Sequence, residues 1–421
     1  MDLLIIIAFV TGYLAIAFEH PLKLNKAASA LLTGGLCWTF YILGFPESSH
    51  HITEQLIEHL GEISGILFFL LGAMTIVELI DAHDGFSIIT DNISTRNKRK
   101  LLWIICSLTF FLSAVLDNLT TTIVMVSLIR KLLDERNDRL LFIGMIVIAA
   151  NAGGAWSPIG DVTTTMLWIG GQVTTQTVIT NLILPSLICL LLPLTIVSFS
   201  LKGNLEGKTS ADTKTNVGSS NKKIILFSGI GILLFVPAFK VVTHLPPFMG
   251  MLIGLGLLWV ISEFLHKDRD TEDRDKLSVV YALRKIDTPS ILFFLGILIS
   301  ISALQSAGYL GKLAVILDER LGDINLIVLS IGVLSAIVDN VPLVAGAMGM
   351  YDLNTYHTDH YFWQFLAYCA GTGGSALIIG SAAGVAAMGM EKIGFFWYMK
   401  KISWLALIGY FAGAVAFILL Q

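Results

Sequence analysis

The chain places an aspartate followed by an asparagine in the middle of a long apolar run, and it does so twice. The pairs are Asp117-Asn118 and Asp339-Asn340, and each pair follows a Ser-Ala-x-x sequence. Because a carboxylate is costly to hold at membrane depth, an acid in such a run marks an ion or substrate path. An acid repeated at the same place in two halves predicts a transporter whose site lies where two repeats meet.

The composition indicates a polytopic helical membrane protein. Of the 421 residues, 55% are hydrophobic and 14% are charged, and the mean hydropathy is +0.78. A soluble domain carries about 25% charged residues. The charged residues are therefore expected in the loops between membrane spans.

Apolar runs of membrane-spanning length occur throughout the chain. At about 20 residues per span, simple spans fall near 2–18, 28–44, 63–83, 176–201, 223–240, 246–265, 289–309 and 402–420. Four further segments are interrupted. Segments 101–129 and 324–350 contain the Asp-Asn pairs, and segments 140–170 and 361–390 contain glycine-rich sequences.

The positions of lysine and arginine indicate how the Asp-Asn segments thread. If 101–129 and 324–350 are re-entrant hairpins, 24 of the 27 Lys and Arg residues lie in loops on one side. If both segments crossed the membrane, the two sides would hold 12 and 15. Because positive loops stay in the cytoplasm, we predict two hairpins with the Asp-Asn pairs at their tips. Both chain termini would then lie outside.

Three motifs recur in the same order at nearly constant separation. Matching Ile-Leu-Phe-Phe-Leu sequences begin 225 residues apart at Ile66 and Ile291, the Asp-Asn pairs lie 222 apart, and Gly-Gly pairs recur 220 apart. We therefore predict an all-α fold of two inverted-topology repeats, each with five spans, one re-entrant hairpin and one broken helix. The repeats cover 1–201 and 223–421, and a cytoplasmic linker covers 202–222.

The interrupted segments carry the polar side chains that a cation site needs. Carboxylate, amide and carbonyl oxygens at hairpin tips suit a small hard cation. Polar residues of the glycine-rich breaks would form the second wall of the site: Asn151, Ser157, Asp161, Thr163 and Thr164 in the first, and Thr372, Ser375 and Ser381 in the second. Asp117, Asp161 and Asp339 would share one cavity, where like charges favour a retained proton, so protons and a metal cation would compete.

Three of these features also have simpler explanations. An aspartate at a turn is a good helix cap, although serine or asparagine would cap without an intramembrane charge. The glycine clusters could be helix-packing surfaces. Glu78, late in span 63–83, is either an interfacial group facing cytoplasmic water or a proton relay toward the site.

Two sequences bring the chain close to a known family. The stretch Asn-Ala-Gly-Gly-Ala-Trp-Ser-Pro-Ile-Gly-Asp-Val-Thr-Thr-Thr at 151–165 and Leu-Phe-Phe-Leu-Leu-Gly-Ala-Met at 67–74, with the paired tips, resemble the NhaD-type sodium/proton antiporters. Their superfamily also holds arsenite permeases and dicarboxylate and citrate carriers. The resemblance implies homodimers with a scaffold domain and a mobile transport domain, and efflux of Na⁺ or Li⁺ in exchange for protons.

The resemblance also implies a set of site residues. The polar cluster of the family corresponds here to Ser113, Asp117, Asn118, Thr120, Asn151, Asp161, Thr163, Thr164, Ser335, Asp339 and Asn340. Ser157, Ser375 and Ser381 are additional candidates, and Glu78 is a candidate relay. Asp117, Asp161 and Asp339 would bind the transported cation.

The main alternatives are other transporters of the same fold. An anion carrier would favour uncharged Ser-Asn-Thr tips, so aspartate in both tips argues against it. An arsenite permease, which handles a largely neutral substrate, is harder to exclude. A cation/proton antiporter needs buried acids, and we expect no fixed positive charge in its site.

No enzyme motif accompanies the broken segments. The sequence has no phosphate-binding Gly-x4-Gly-Lys loop, no Gly-x-Ser-x-Gly elbow and no Cys-x2-Cys pair. We expect no enzymatic activity, no cofactor and no nucleic-acid partner. The expected partners are Na⁺ or Li⁺, H⁺, the lipid bilayer and a second copy of the chain, and the expected location is the inner (plasma) membrane.

Overall fold

The computed structural model describes residues 2–17, 19–44, 49–90, 95, 97–201, 203–204, 219–267, 270–337 and 339–421. In chain order the helices are α1 Asp2–Ala17, α2 Glu19–Leu22, α3 Lys26–Gly44, α4 Ser49–Ala82, α5 Ser87–Thr90, α6 Lys98–Leu116, α7 Asn118–Leu132, α8 Arg136–Ala155, α9 Val162–Ile169, α10 Thr175–Ser200, α11 Ser219–Thr243, α12 Pro247–Leu265, α13 Thr271–Lys276, α14 Val279–Lys285, α15 Thr288–Ser306, α16 Tyr309–Leu321, α17 Ile324–Leu334, α18 Asn340–Met350, α19 Tyr361–Gly373, α20 Ala382–Glu391, α21 Phe395–Tyr398 and α22 Trp404–Leu420. A π-helical turn, Met399–Ser403, joins the last two. Most of the predicted linker 202–222 lies outside the described residues.

The described residues form no β-strand, and nine of their helical segments are long and apolar enough to cross a bilayer. These segments are α3, α4, α6, α8, α10, α11, α12, α15 and the C-terminal run Phe395–Leu420. The predicted class, a polytopic helical membrane protein, is confirmed. The shorter apolar helices include α7, α17 and α18, which belong to the interrupted segments, and most of α1.

Helix α4 is longer than the sequence predicts. The expected span begins at residue 63, but the helix begins at Ser49 and runs for 34 residues, about 51 Å at 1.5 Å per residue. The predicted spans 28–44 and 63–83 place the residues between them, which include His50 and Glu54, in a loop on the outer side. They continue the helix because the segment from Ser49 to Leu60 contains neither glycine nor proline.

Each interrupted segment is a broken helix. Helices α6 and α7 are separated by Asp117 alone, whose φ of 84° and ψ of 159° belong to a region that only glycine adopts readily. Residues 335–339 separate α17 from α18, residues 156–161 separate α8 from α9, and residues 374–381 separate α19 from α20. Asp117 therefore stores local backbone strain at the first break.

The two ends of the α6–α7 segment lie close together. Lys98 Nζ, in the first turn of α6, lies 2.5 Å from Asp138 Oδ2 and 3.5 Å from Glu135 Oε2. Glu135 and Asp138 follow the end of α7. After the break at Asp117, the chain therefore comes back close to the start of α6.

The α17–α18 segment has the same property at the start of α19. The hydroxyl of Tyr361 donates to Asn325 Oδ1 at 2.5 Å, near the beginning of α17. The ring of Tyr351, directly after α18, lies 4.8 Å from the ring of Phe362. Both ends of this segment therefore lie beside one helix terminus.

The helices pack in two groups, with the broken segments concentrated in one of them. Helix α8 is buried from Phe142 to Ala155 and packs against α6, α7, α10, α19 and α20. In the other group α3 packs against α1 and α15, and α4 packs against α12 and α15. Trp38 Nε1 of α3 donates to the Ile299 carbonyl of α15 at 2.9 Å, which fixes these two helices to each other.

Candidate functional site

A cavity of about 70 Å³ lies between the two helix groups, where three of the helix breaks face α3, α4 and α15. Of the predicted site residues, those that line it are Asp117, Asn118, Thr120, Asp161, Asp339 and Asn340. The opposite wall is largely apolar and includes Phe69, Met74 and Phe294. Three carboxylates from three different breaks therefore share one cavity.

Asp161 is the carboxylate on which the side chains of both halves converge. It is only 2% exposed and precedes α9 without capping that helix through its side chain. Asn118 Nδ2 donates to Asp161 Oδ1 at 3.2 Å, Asn340 Nδ2 donates to Oδ2 at 3.5 Å, and Thr163 Oγ1 donates to Oδ2 at 2.7 Å. The amides of both Asp-Asn pairs therefore reach one buried acid.

Asn151 extends this network into the second glycine-rich break. Its Oδ1 accepts from Asn118 at 3.0 Å, and its Nδ2 donates to Ser375 Oγ at 2.8 Å and to Ser381 Oγ at 2.9 Å. Ser381 in turn caps α20, because its hydroxyl accepts from the Gly384 N–H at 3.2 Å. Asn151, near the end of α8, therefore links the helix that precedes the first glycine-rich break to the second glycine-rich break.

Asp117 and Asp339 both cap a helix and line the cavity. Asp117 accepts from Thr120 N at 2.8 Å and from Thr120 Oγ1 at 2.9 Å, and Asp339 accepts from Val341 N at 3.2 Å. A carboxylate oxygen has more than one lone pair. The caps therefore hold these acids in place and leave acceptor capacity for a cation.

Four predicted residues direct their hydroxyls at backbone carbonyls rather than into the cavity. Ser113 donates to Ala150, Ser157 to Ala114, Thr164 to Ala155, and Ser335 to Gly332, over distances between 2.5 and 3.4 Å. All four are buried and are absent from the cavity lining. The bonds of Ser113, Ser157 and Thr164 join neighbouring segments at the breaks, whereas the Ser335 bond to Gly332 stays within the end of α17.

Among the described residues, Glu78 lines a neighbouring cavity of about 140 Å³ and not the cavity of the three acids. Asp81, Thr120 and Lys285 line the same cavity. Thr120 also lines the cavity with the three acids. Thr120 is therefore common to the wall of the site and to the space around Glu78.

Lys26 is the site residue that the sequence did not identify. Its Nζ lies 3.4 Å from Asp339 Oδ2 and 4.5 Å from the centre of the Phe293 ring. The expectation of no fixed positive charge in the site is therefore wrong. Lys26 lies between the predicted spans 2–18 and 28–44 and therefore looks like a loop residue. Only the packing of α3 against α15 brings its side chain into the cavity.

Two buried threonines next to the first tip were not selected either. Thr121 and Thr122 are fully buried, and their hydroxyls have no hydrogen-bond partner among the described residues. The run Thr120-Thr121-Thr122 is visible in the sequence, and its polarity inside an apolar segment is the signal that could have found them.

The charges of the site favour positive species. Among the described residues, three carboxylates at or next to helix breaks line the cavity together with one ammonium group, that of Lys26. Buried charges of one sign need compensation by counter-ions or protons. The donors are carboxylate, amide and hydroxyl oxygens, which are the ligands that hard cations prefer.

Comparison with known proteins gives a family and several relatives. The model of the citrate transporter family matches residues 13–371. Sodium/proton antiporter 1 of Arabidopsis thaliana is 50% identical over 419 residues, which cover 99% of the chain and 72% of that protein. Sodium/proton antiporter 2 of the same plant is 49% identical over 413 residues, with 97% of both proteins covered. The Na⁺/H⁺ antiporter NhaD of Vibrio cholerae is 31% identical over 445 residues, which cover 99% of the chain and 91% of that protein.

Proposed function

Because the chain belongs to the NhaD-type sodium/proton antiporters of the citrate transporter family, we propose that it exchanges Na⁺ for H⁺ at the cavity lined by Asp117, Asp161 and Asp339. The relatives are transporters by name, in agreement with a role in ion exchange rather than in enzymatic chemistry. The observation that carries the proposed site is Asp161, a buried acid on which the amides of Asn118 and Asn340 converge.

Competition for the same carboxylates would couple the two ions. An empty site holding three acids at membrane depth favours bound protons, because unpaired buried charges are unfavourable. An arriving Na⁺ supplies the positive charge instead and displaces protons. Li⁺, another small hard cation, would be accepted by the same oxygen donors. Alternating access then releases the cation outside, where protons replace it on the acids, and releases those protons in the cytoplasm as the next Na⁺ binds.

The proposed inverted repeat is supported by equivalent close contacts at glycines. A Cβ added at Gly153 would collide with the carbonyl oxygen of Phe110, and one added at Gly373 would collide with that of Gly332. Phe110 and Gly332 are separated by the same 222 residues as the Asp-Asn pairs. A helix of each half therefore approaches its partner at a matching position, where only glycine fits.

A second pair of glycines repeats the pattern next to the tips. A Cβ at Gly160 would lie 2.7 Å from the carbonyl oxygen of Ser113, and one at Gly380 would lie 2.7 Å from that of Ser335. The residues that follow the two glycines share an extended backbone, with φ of −144° and −145°. We infer that 1–201 and 223–421 are the repeats, that 202–222 links them, and that α6–α7 and α17–α18 are re-entrant hairpins.

The site cavity adjoins the cavity around Glu78, which supports a conformation in which the site is open toward Glu78. The site cavity and the Glu78 cavity share Met74, Leu119 and Thr120. Within the described part of the chain, a third cavity of about 550 Å³, lined by His59 and Asp352 among others, has no lining residue in common with the site. Under the proposed topology Glu78 lies on the cytoplasmic side. Glu78 would then relay protons between cytoplasmic water and the acids of the site, past Thr120, which lines both cavities.

The same geometry disfavours a citrate-type substrate. A tricarboxylate would have to enter a small cavity where the described residues already place three carboxylates and one ammonium group. Like charges at close range are strongly unfavourable at low dielectric. A small cation meets neither obstacle.

The proposal extends to the setting of the protein. We expect a homodimer in the inner (plasma) membrane with both termini outside, because that orientation keeps the positively charged loops in the cytoplasm. Crosslinking of the protein in native membranes tests the dimer, and protease accessibility of terminal tags tests the orientation. Monomeric protein, or tags cleaved only from the cytoplasmic face, would contradict these two points.

The site is tested by proton flux in everted membrane vesicles. On addition of Na⁺ or Li⁺, a pH-sensitive dye should report proton movement in the wild type and none in Asp161→Asn. Asp134→Asn, which changes an exposed acid in the loop after α7, is the matched control and should behave as the wild type. Normal exchange in Asp161→Asn would remove Asp161 from the proposed site.

A further inference from the structure

We propose that Lys26 is a tethered cation that occupies the place of Na⁺ at Asp339 when the site is empty, and that Na⁺ must displace it to bind. The inference rests on the proposed site and adds a residue that sets its affinity. It starts from the contact between Lys26 Nζ and Asp339 Oδ2 at 3.4 Å, which joins the two helix groups.

The lysine is anchored by a rigid part of the fold. Its backbone N–H begins α3 and donates to Glu19 Oε1 at 3.3 Å, and its ammonium group lies over the buried ring of Phe293 on α15. Helices α3 and α15 are in close contact, since a Cβ at Gly34 would lie 2.8 Å from the Gly296 carbonyl oxygen. The ammonium group is therefore presented to the cavity from a fixed base.

Its partner belongs to the other side of the site. Asp339 precedes α18 and caps it through Val341, and the Asn340 that follows reaches Asp161. The ion pair thus connects α3 to the acid cluster itself. A charge in this position compensates one of three acids when no cation is bound, which lowers the cost of an empty site.

Lys26 and a bound Na⁺ exclude each other. Both would have to lie within a few ångström of the same carboxylate, and two like charges at that distance repel strongly at low dielectric. The side chains of Lys26 and Asp339 are 24% and 19% exposed, so Lys26 is not fully enclosed and its long side chain has room to move away from Asp339. Because Na⁺ must displace Lys26 in order to bind, the presence of Lys26 weakens the apparent affinity of the site for Na⁺.

The competition is measured as the Na⁺ dependence of proton flux in everted vesicles. Lys26→Gln removes the charge and should lower the apparent KM for Na⁺ by roughly fivefold or more, within the usual range of coupling between two binding events. Lys26→Arg keeps the charge and should remain near the wild-type KM. Lys312→Gln, an exposed lysine that lies over the Tyr309 ring, is the matched control and should change nothing.

The outcomes separate this inference from the proposed site. If Asp339→Asn abolishes exchange and Lys26→Gln leaves KM unchanged or raises it, Lys26 is only a structural contact and the inference is wrong. If Asp339→Asn exchanges normally, the proposed site itself is wrong.

A measurement on the wild-type protein covers the case in which Lys26→Gln fails to fold. Acylation of Lys26 by a small amine-reactive reagent, read by peptide mass spectrometry, should increase when Na⁺ replaces choline. Lys312 serves as the internal reference. Equal or lower modification of Lys26 in Na⁺ would overturn the proposal.

Discussion

The side-chain amide of Asn118 donates to the carboxylate of Asp161, with 3.2 Å between Nδ2 and Oδ1. The same nitrogen donates to Asn151 Oδ1 at 3.0 Å. The first Asp-Asn pair is therefore tied to the first glycine-rich break by two bonds. The equivalent amide of Asn340 approaches Asp161 at 3.5 Å, so the two halves hold the acid unequally.

This inequality predicts unequal effects of two matched substitutions. Asn118→Ala should raise the apparent KM for Na⁺ about tenfold, since a hydrogen bond to a charged group contributes about 1.5–3 kcal/mol. Asn340→Ala should raise it less, because its bond to Asp161 is longer. Sodium titrations of proton flux in vesicles measure both values. Equal effects of the two variants would show that the amides do not act through Asp161.

The close approach of helices at Gly153 predicts a loss of stability on enlargement. Gly153→Ala places a methyl group against the Phe110 carbonyl, and overpacking of this kind costs about 1–3 kcal/mol. Gly256→Ala, where no atom of the described residues lies within 4 Å of the added Cβ, should be neutral. Thermal unfolding of the detergent-solubilised variants gives the comparison. A Gly153→Ala protein as stable as the wild type would count against the packing at this break.

The re-entrant hairpins make a prediction about labelling. Single cysteines at Asn97 and Asn137 should react with a membrane-impermeant thiol reagent from the cytoplasmic side, and those at Val315 and Thr355 from the outside. All four positions are exposed, and the native cysteines are buried, so background labelling should be low. Reaction of Asn97→Cys and Asn137→Cys from opposite faces would exclude the first hairpin and the inverted repeat.

The helix breaks and the acids at them can largely be predicted from short segments of the sequence. An acid within an apolar run, or a glycine cluster with polar residues between its members, predicts a break because such residues disfavour an uninterrupted span. Asp117, Asp161 and Asp339 could be selected on that ground. Their presence in one cavity follows from the repeated order of the motifs, although their role as cation ligands remains a proposal.

Other features depend on tertiary packing and could not be predicted in this way. Ser113 and Ser335 recur in the repeated motif as a ligand would, yet their hydroxyls bond carbonyls of neighbouring residues and helices. Lys26 reads as an ordinary loop lysine, and only the α3–α15 contact brings it to Asp339. The predicted span 63–83 also misses the N-terminal part of α4, because counting apolar residues does not detect the more polar turns with which the helix begins at Ser49.

The central claim is that Na⁺ and protons compete for the carboxylates of Asp117, Asp161 and Asp339. The most direct measurement is proton release from purified protein in weak buffer on addition of NaCl, with choline chloride as the control. The account predicts release on Na⁺ addition and an apparent Na⁺ affinity that weakens as pH falls, by up to about tenfold per pH unit for each proton displaced. The sign follows because the empty site retains more protons on its acids than the site that holds Na⁺. Absence of release, together with a Na⁺ affinity that stays constant from about pH 6 to about pH 9, would contradict it.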